Sequence, residues 1–158
     1  MTLNATRPPR AFHGINTGYH PEIRRIRDAV MVDELQIPRD KESDGDHAAT
    51  HYLVADGKTK ADCYGTVRVS IDRGERILCV DRVALLELYR GERYGADLLK
   101  HVVAEQTEWN PGYTVFAIAL ADNLGCYQAA SFQPFENPYL VDGLKVQKMA
   151  IPSLPQVS

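Results

Sequence analysis

Three successive signals between residues 76 and 120 constrain this chain more than anything else in it. Residues 76–85 (RILCVDRVAL) read as an apolar-rich strand. A short polar turn follows, then a helix entered through Gly91 and Gly95 and carried by Ala96, Leu98, Leu99, Val102 and Val103. That helix is expected to end near Trp109-Asn110-Pro111-Gly112, because the residue before a proline avoids helical angles. Residues 113–120 (YTVFAIAL) are the most continuous apolar run in the chain, which suits a strand covered on both faces and paired in parallel. Strand, crossover helix and parallel strand make a right-handed unit, so residues 76–120 are expected to be βαβ.

The preceding residues have a different rhythm. Strands are expected at 51–55 and 63–71, the second with period-two alternation, and the turns Asp56-Gly57-Lys58 and Asp72-Arg73-Gly74-Glu75 join them to the strand that begins at Arg76. Three sequential strands on short polar turns imply an antiparallel meander. Residues 11–15 form a short first strand. Pro21 opens a helix at the position where its missing N–H costs nothing. Ile23, Ile26, Ala29 and Val30 share a face of that helix, which runs to about Leu35 and stops before Pro38. The stretch 39–47 reads as a charged, solvated loop in which Asp44 and Asp46 lack the further acidic spacing of a calcium loop. Downstream, Asp122 or Asn123 caps a short helix through Ala130, Phe132 starts a strand, and residues 144–151 close the sheet. Residues 1–9 are read as a loose tail and 10–158 as a single domain.

The turn before the second helix carries the clearest chemistry. A glycine-entered helix start leaves its first backbone N–H groups unpaired, with the positive end of the helix dipole behind them. Such a start is a ready phosphate site. A formal charge of -3 argues against a general nucleic-acid binder. The 44% hydrophobic and 25% charged content is that of a soluble globular domain. No apolar run approaches the ~20 residues that span a bilayer. Cys63, Cys79 and Cys126 are widely spaced, with no metal-ligand rhythm. With no secretion-type apolar segment in the N-terminal residues, a cytoplasmic protein with reduced thiols is expected.

Arg90-Gly91-Glu92-Arg93-Tyr94-Gly95 resembles the acyl-CoA-binding segment of the GNAT acetyltransferases, Arg/Gln-x-x-Gly-x-Gly/Ala, with Arg93 standing where that family has its first glycine. Residues 125–132 are similar to the family's Tyr-x-x-x-Gly-Phe segment, with Ser131 replacing the glycine. The order Ile26-Arg27, Glu34, Ile37-Pro38, Glu42, Asp44, Asp46, His51 is similar to a subgroup of small bacterial members. That subgroup tends to carry Glu and His where this chain has Val141 and Val146. The resemblance spans roughly residues 20–150 and implies an α/β fold with a mixed, splayed sheet, in which a meander precedes the βαβ unit.

It also implies a function: transfer of acetyl from acetyl-CoA to an amine by direct attack in a ternary complex, without a metal. In that reading the main chain of Val83, Ala84 and Leu85 pairs with the pantetheine arm. Backbone N–H groups from Glu92 to Ala96 (Glu92, Arg93, Tyr94, Gly95, Ala96) hold the diphosphate, Arg90 or Arg93 adds a charge-assisted contact, and Asn123 is a candidate for the pantetheine amide. Tyr127 is the expected general acid toward the departing thiolate. Glu34, Asp81 and His51 are the candidate bases, with Glu34 beside the acceptor cleft. Cys126 lacks a neighbouring His for a ping-pong route. The competing readings are an acyl-homoserine-lactone-type synthase on a related fold, and a non-catalytic CoA-binding module. The acceptor amine has no readable code, and a homodimer stays open.

Overall fold

The computed structural model describes residues 10–15, 20–56, 63–90 and 93–152. The expectations for residues 1–9, for Gly57-Lys58 and for Gly91 and Glu92 therefore lie outside the described residues. In chain order the elements are β1 (Arg10–Ile15), α1 (Pro21–Arg27), α2 (Arg39–Glu42), β2 (Ala49–Asp56), β3 (Cys63–Asp72) and β4 (Ile77–Leu85). Then come α3 (Tyr94–Trp109), β5 (Thr114–Leu120), α4 (Leu124–Ala129), β6 (Gln133–Pro134), β7 (Tyr139–Val141) and β8 (Leu144–Ala150). Among the described residues the strands make one sheet in the order β1-β2-β3-β4-β5-β8-β6, with β7 added on β8. Its pairs are antiparallel except β4–β5, which the α3 crossover makes parallel.

Strand alternation splits the apolar residues between two layers. Tyr52 and Val54 of β2 join Val67, Leu78 and Val80 beneath Leu98, Leu99 and Val102 of α3. Leu53 and Ala55 face the other way and pack on Ile23, Ile26 and Met31 of the first helix. That helix starts with Pro21 at its first turn and with the His20 ring accepting from the Glu22 N–H at 3.2 Å. From Asp28 to Glu34 it continues as a π-helix and ends at Gln36, where φ is +61°. Local propensity does not announce such a widened turn. It arises from tertiary packing and is often found at functional sites.

Two expectations need correction. Strand β5 is not covered evenly on both faces: Val115, Ala117 and Ala119 are buried while the residues between them are not. The cause is that β4 and β5 pair only from Ile77–Thr114 to Val80–Ala117 and then part, so one side of β5 looks into the opening. Residues 39–47 are also not a solvated loop. They hold α2, and Glu42 and Asp46 are buried because the guanidinium groups of Arg27 and Arg68 reach them.

The parting of β4 and β5 coincides with a bulge. The β3–β4 register jumps from Thr66–Ala84 to Arg68–Asp81, and Arg82 takes a left-handed φ of +53°. An extra residue on one strand bends it and increases its twist. A non-glycine residue holds such angles only when its surroundings over-determine them. Here the Arg82 guanidinium donates to the carbonyls of Lys41 and Glu42 at 3.1 and 3.0 Å and to Asp81 at 3.1 Å.

Candidate active site

Two cavities open where β4 and β5 separate, and both are lined by Val83, Leu120, Asn123 and Leu144. The larger, ≈ 860 Å³, runs between the π-helix (Val30, Glu34), the end of β4 (Leu85) and α4 (Gly125, Cys126). The smaller, ≈ 640 Å³, lies toward α2 and the β7–β8 hairpin and includes Asp81, Arg82 and Tyr127.

Of the residues expected to hold a cofactor, Val83, Leu85, Arg90 and Asn123 line the larger cavity. Ala84 does not, because strand alternation sends it to the opposite core. The Leu85 carbonyl accepts from Arg90 Nε at 3.0 Å, and Arg90 Nη2 donates to Glu34 at 2.6 Å. Arg90 thus ties the end of β4 to the end of the π-helix. Arg93 caps α3 at its N-terminus with its side chain exposed. Its carbonyl accepts the first intrahelical bond, from the Asp97 N–H at 2.8 Å, so the N–H groups of Gly95 and Ala96 precede the ladder. The Tyr94 ring packs edge-on against Tyr64 and Tyr89, which themselves stack at 4.1 Å. This tyrosine cluster fixes the helix start relative to β3.

Gly95 also meets a packing constraint. A Cβ built there would lie 2.8 Å from Cys126 Sγ and 3.2 Å from Leu85 Cδ1. The glycine lets α3 close against β4 and α4. Asn123 occupies the N-cap position of α4 but makes no side-chain cap hydrogen bond. Capping is therefore not what its amide does, and its side chain borders both cavities instead.

Tyr127 is 1% exposed, lines the smaller cavity, and its hydroxyl has no hydrogen-bond partner among the described residues. Burial, with the nearby Asp81 charge adding, pushes its phenol well above the ordinary range. The candidate bases are less free. Glu34 is on the larger cavity rather than beside the smaller one, and its hydrogen bond from Arg90 holds its carboxyl below the usual range. Asp81 does line the smaller cavity. Arg68 grips it through Nε at 2.8 Å and Nη2 at 2.7 Å, and Arg82 adds a third bond. Three of its about four lone-pair sites are thus occupied. His51 is fully buried and lines neither cavity. Burial, then the charges of Arg27 and Arg68, lower its pKa against the pull of Asp46. Cys126 is pushed up by burial, which keeps it a thiol rather than a nucleophilic thiolate.

Asp40, Lys41, Asp44 and Asp142 all stand at the smaller cavity; sequence reasoning names Asp44 in the family-like order of acidic residues and gives the other three no site role. Lys41 and Asp142 form an ion pair at 2.7 Å although 101 residues separate them, and no local pattern encodes such a pairing.

No protein-family model matches the chain, and no curated protein matches it. Solved structures match over most of its length. An acyl-CoA N-acyltransferase from Pseudomonas aeruginosa aligns with a TM-score of 0.73 at 18% identity, covering 91% of this chain and 100% of that one. Escherichia coli ElaA aligns with a TM-score of 0.72 at 21% identity, with 91% and 100% covered. A GNAT family acetyltransferase from Elizabethkingia anophelis, solved with acetyl-CoA bound, aligns with a TM-score of 0.63 at 14% identity, with 89% and 94% covered. Agreement over about nine-tenths of the chain, together with the mixed sheet that parts between β4 and β5, settles the architecture: this protein has the acyl-CoA N-acyltransferase fold of the GNAT superfamily.

Proposed function

We propose that the chain transfers an acyl group, acetyl in the first instance, from a CoA thioester to an amine by direct attack within a ternary complex. The observation that carries this reading is the pair of cavities meeting on Val83, Leu120 and Asn123 at the parting of β4 and β5. One space can hold the thioester arm and the other the amine, and their junction is where the two would react. The structure from Elizabethkingia anophelis holds acetyl-CoA on the same fold.

In this reading the larger cavity takes the pantetheine arm along the unpaired edge of β4, in the manner of an added strand. Asn123 stands at the junction to meet an amide of that arm. The α3 N-terminus, with the N–H groups of Gly95 and Ala96, faces the diphosphate. The amine nitrogen bonds to the thioester carbon, the carbon–sulfur bond breaks, and the sulfur leaves as thiolate. Tyr127, kept protonated by its burial, donates to that sulfur from the smaller cavity. Glu34 and Asp81 are both committed to guanidinium groups. The amine's proton accordingly leaves to solvent rather than to a dedicated side chain, and Tyr127 takes a proton back from solvent to complete the cycle.

The test is a thiol-release assay over an amine panel combined with calorimetric titration of CoA. Acetyl-CoA binding with amine-dependent release of CoA supports the reading. Binding without turnover on any amine would favour a CoA-binding module instead.

A further inference from the structure

The smaller cavity has an apolar middle and a charged mouth. Met31, Ile37, Ile118, Leu120 and Val146, all buried or half-buried, line it along with the buried Tyr127. At the mouth stand Asp40 and Asp44 from the α2 region and Asp142 from the β7–β8 hairpin, with Lys41 the cation among them. Lys41 is committed to Asp142 at 2.7 Å, and deeper in, Arg82 is committed to Asp81 at 3.1 Å. Once those pairs are set aside, Asp40 and Asp44 remain as two exposed carboxylates without an ion-pair partner among the described residues. At the far end, the unpartnered hydroxyl of the buried Tyr127 marks where a ligand's polar group belongs.

We infer that the acceptor is an aliphatic amine carrying a second positive charge at its far end. One nitrogen reaches the junction at Tyr127, the methylene chain lies along the apolar middle, and the far ammonium sits at Asp40 and Asp44. This rests on the acyltransferase reading above, since it takes the smaller cavity as the acceptor site. The far charge stays near solvent, so its desolvation cost is small and its attraction is modest and sensitive to salt. An amine ending in a carboxylate meets like charge at the same place and is rejected.

The experiment uses three amines with one five-carbon skeleton and different far ends: cadaverine, n-pentylamine and δ-aminovalerate. Each is titrated calorimetrically into the full-length protein saturated with CoA, at low and at moderate salt. Cadaverine is expected to bind about tenfold more tightly than pentylamine at low salt, with aminovalerate weakest and the gap narrowing as salt rises. The double variant Asp40→Asn/Asp44→Asn, checked for a native-like melting transition, is expected to bring cadaverine down toward pentylamine. Cadaverine binding no better than pentylamine, or a preference that survives in the double variant, overturns the inference, as does no binding of any of the three. Thiol release measured in parallel separates the two levels. Turnover of pentylamine with no advantage for cadaverine removes the second charge and leaves the acyltransferase. Tight, Asp40/Asp44-dependent cadaverine binding without turnover keeps the diamine site and removes the catalysis.

Discussion

Tyr127 combines complete burial with a position on the wall of the smaller cavity, and that combination defines its expected behaviour. Replacing it with Phe keeps the ring's packing against Phe132 and removes only the hydroxyl. The expected result is a fall in kcat of about 10²-fold, with CoA affinity measured by calorimetry nearly unchanged. Equal losses in both would make the tyrosine structural. The raised phenol pKa also sets the sign of the pH profile. Tyr127 stays protonated through and beyond the ordinary phenol range, so it imposes no falling limb there. The acceptor must be neutral to attack, and alkyl amines titrate near ~10.4. The rate under kcat/KM conditions should therefore climb with pH, about tenfold per unit, from neutrality toward the amine's own pKa. A plateau near neutral pH would instead reveal a dedicated base. At Gly95 the constraint is packing, so Gly95→Ala is expected to destabilise by about 1–3 kcal/mol through overpacking. Adding Cys126→Ala should recover part of that loss in urea unfolding, because Cys126 Sγ is the atom closest to the new methyl group.

At the scale of elements, the charged residues of α1, α2 and the strands form one buried network. Arg27 donates to Glu42 and, at 2.8 Å, to Asp46, while Arg68 links Asp46 at 3.1 Å to Asp81. Removing one member strands the others in a dry setting, so Arg27→Leu is expected to lower stability by about 3–5 kcal/mol in denaturant melts. The network also predicts the direction of acid sensitivity. His51 has a folded-state pKa below its unfolded value, so the unfolded chain takes up its proton first and stability falls as pH drops below about 6.5. Burial alone would raise the Asp46 carboxyl, but Arg27 and Arg68 hold it below the usual range, and its contribution is lost at still lower pH. The urea midpoint should decline from pH 7.5 toward pH 5.5, and His51→Gln should flatten that decline. An unchanged slope in the variant would place the sensitivity elsewhere.

Over the whole molecule, the parting of β4 from β5 makes one opening from two unlike walls, with Arg82 bracing the bulge at its apex. A ligand that fills the opening binds the folded chain and not the unfolded one. At a hundredfold excess over Kd, CoA should add about 2.7 kcal/mol, a rise of several degrees in Tm. No rise with CoA at any concentration would count against the cofactor-side assignment. The meander, the crossover and the helix from Pro21 are legible in the chain because period-two and period-3.6 patterns, prolines and polar turns are local signals. The motif from Arg90 to Gly95 is local too, which is why its resemblance to acyl-CoA-binding turns is legible in the residues alone.

What the sequence by itself determined is therefore the order and type of the main elements. Only the tertiary structure decided where β4 leaves β5, that residues 28–34 widen into a π-helix, and which charges are buried. It also brought Lys41 beside Asp142, and Asp40 and Asp44 to the mouth of a cavity that ends at Tyr127. The physical reason is that such features follow from long-range register and from ion pairs across many residues, for which no short window of sequence carries the energy.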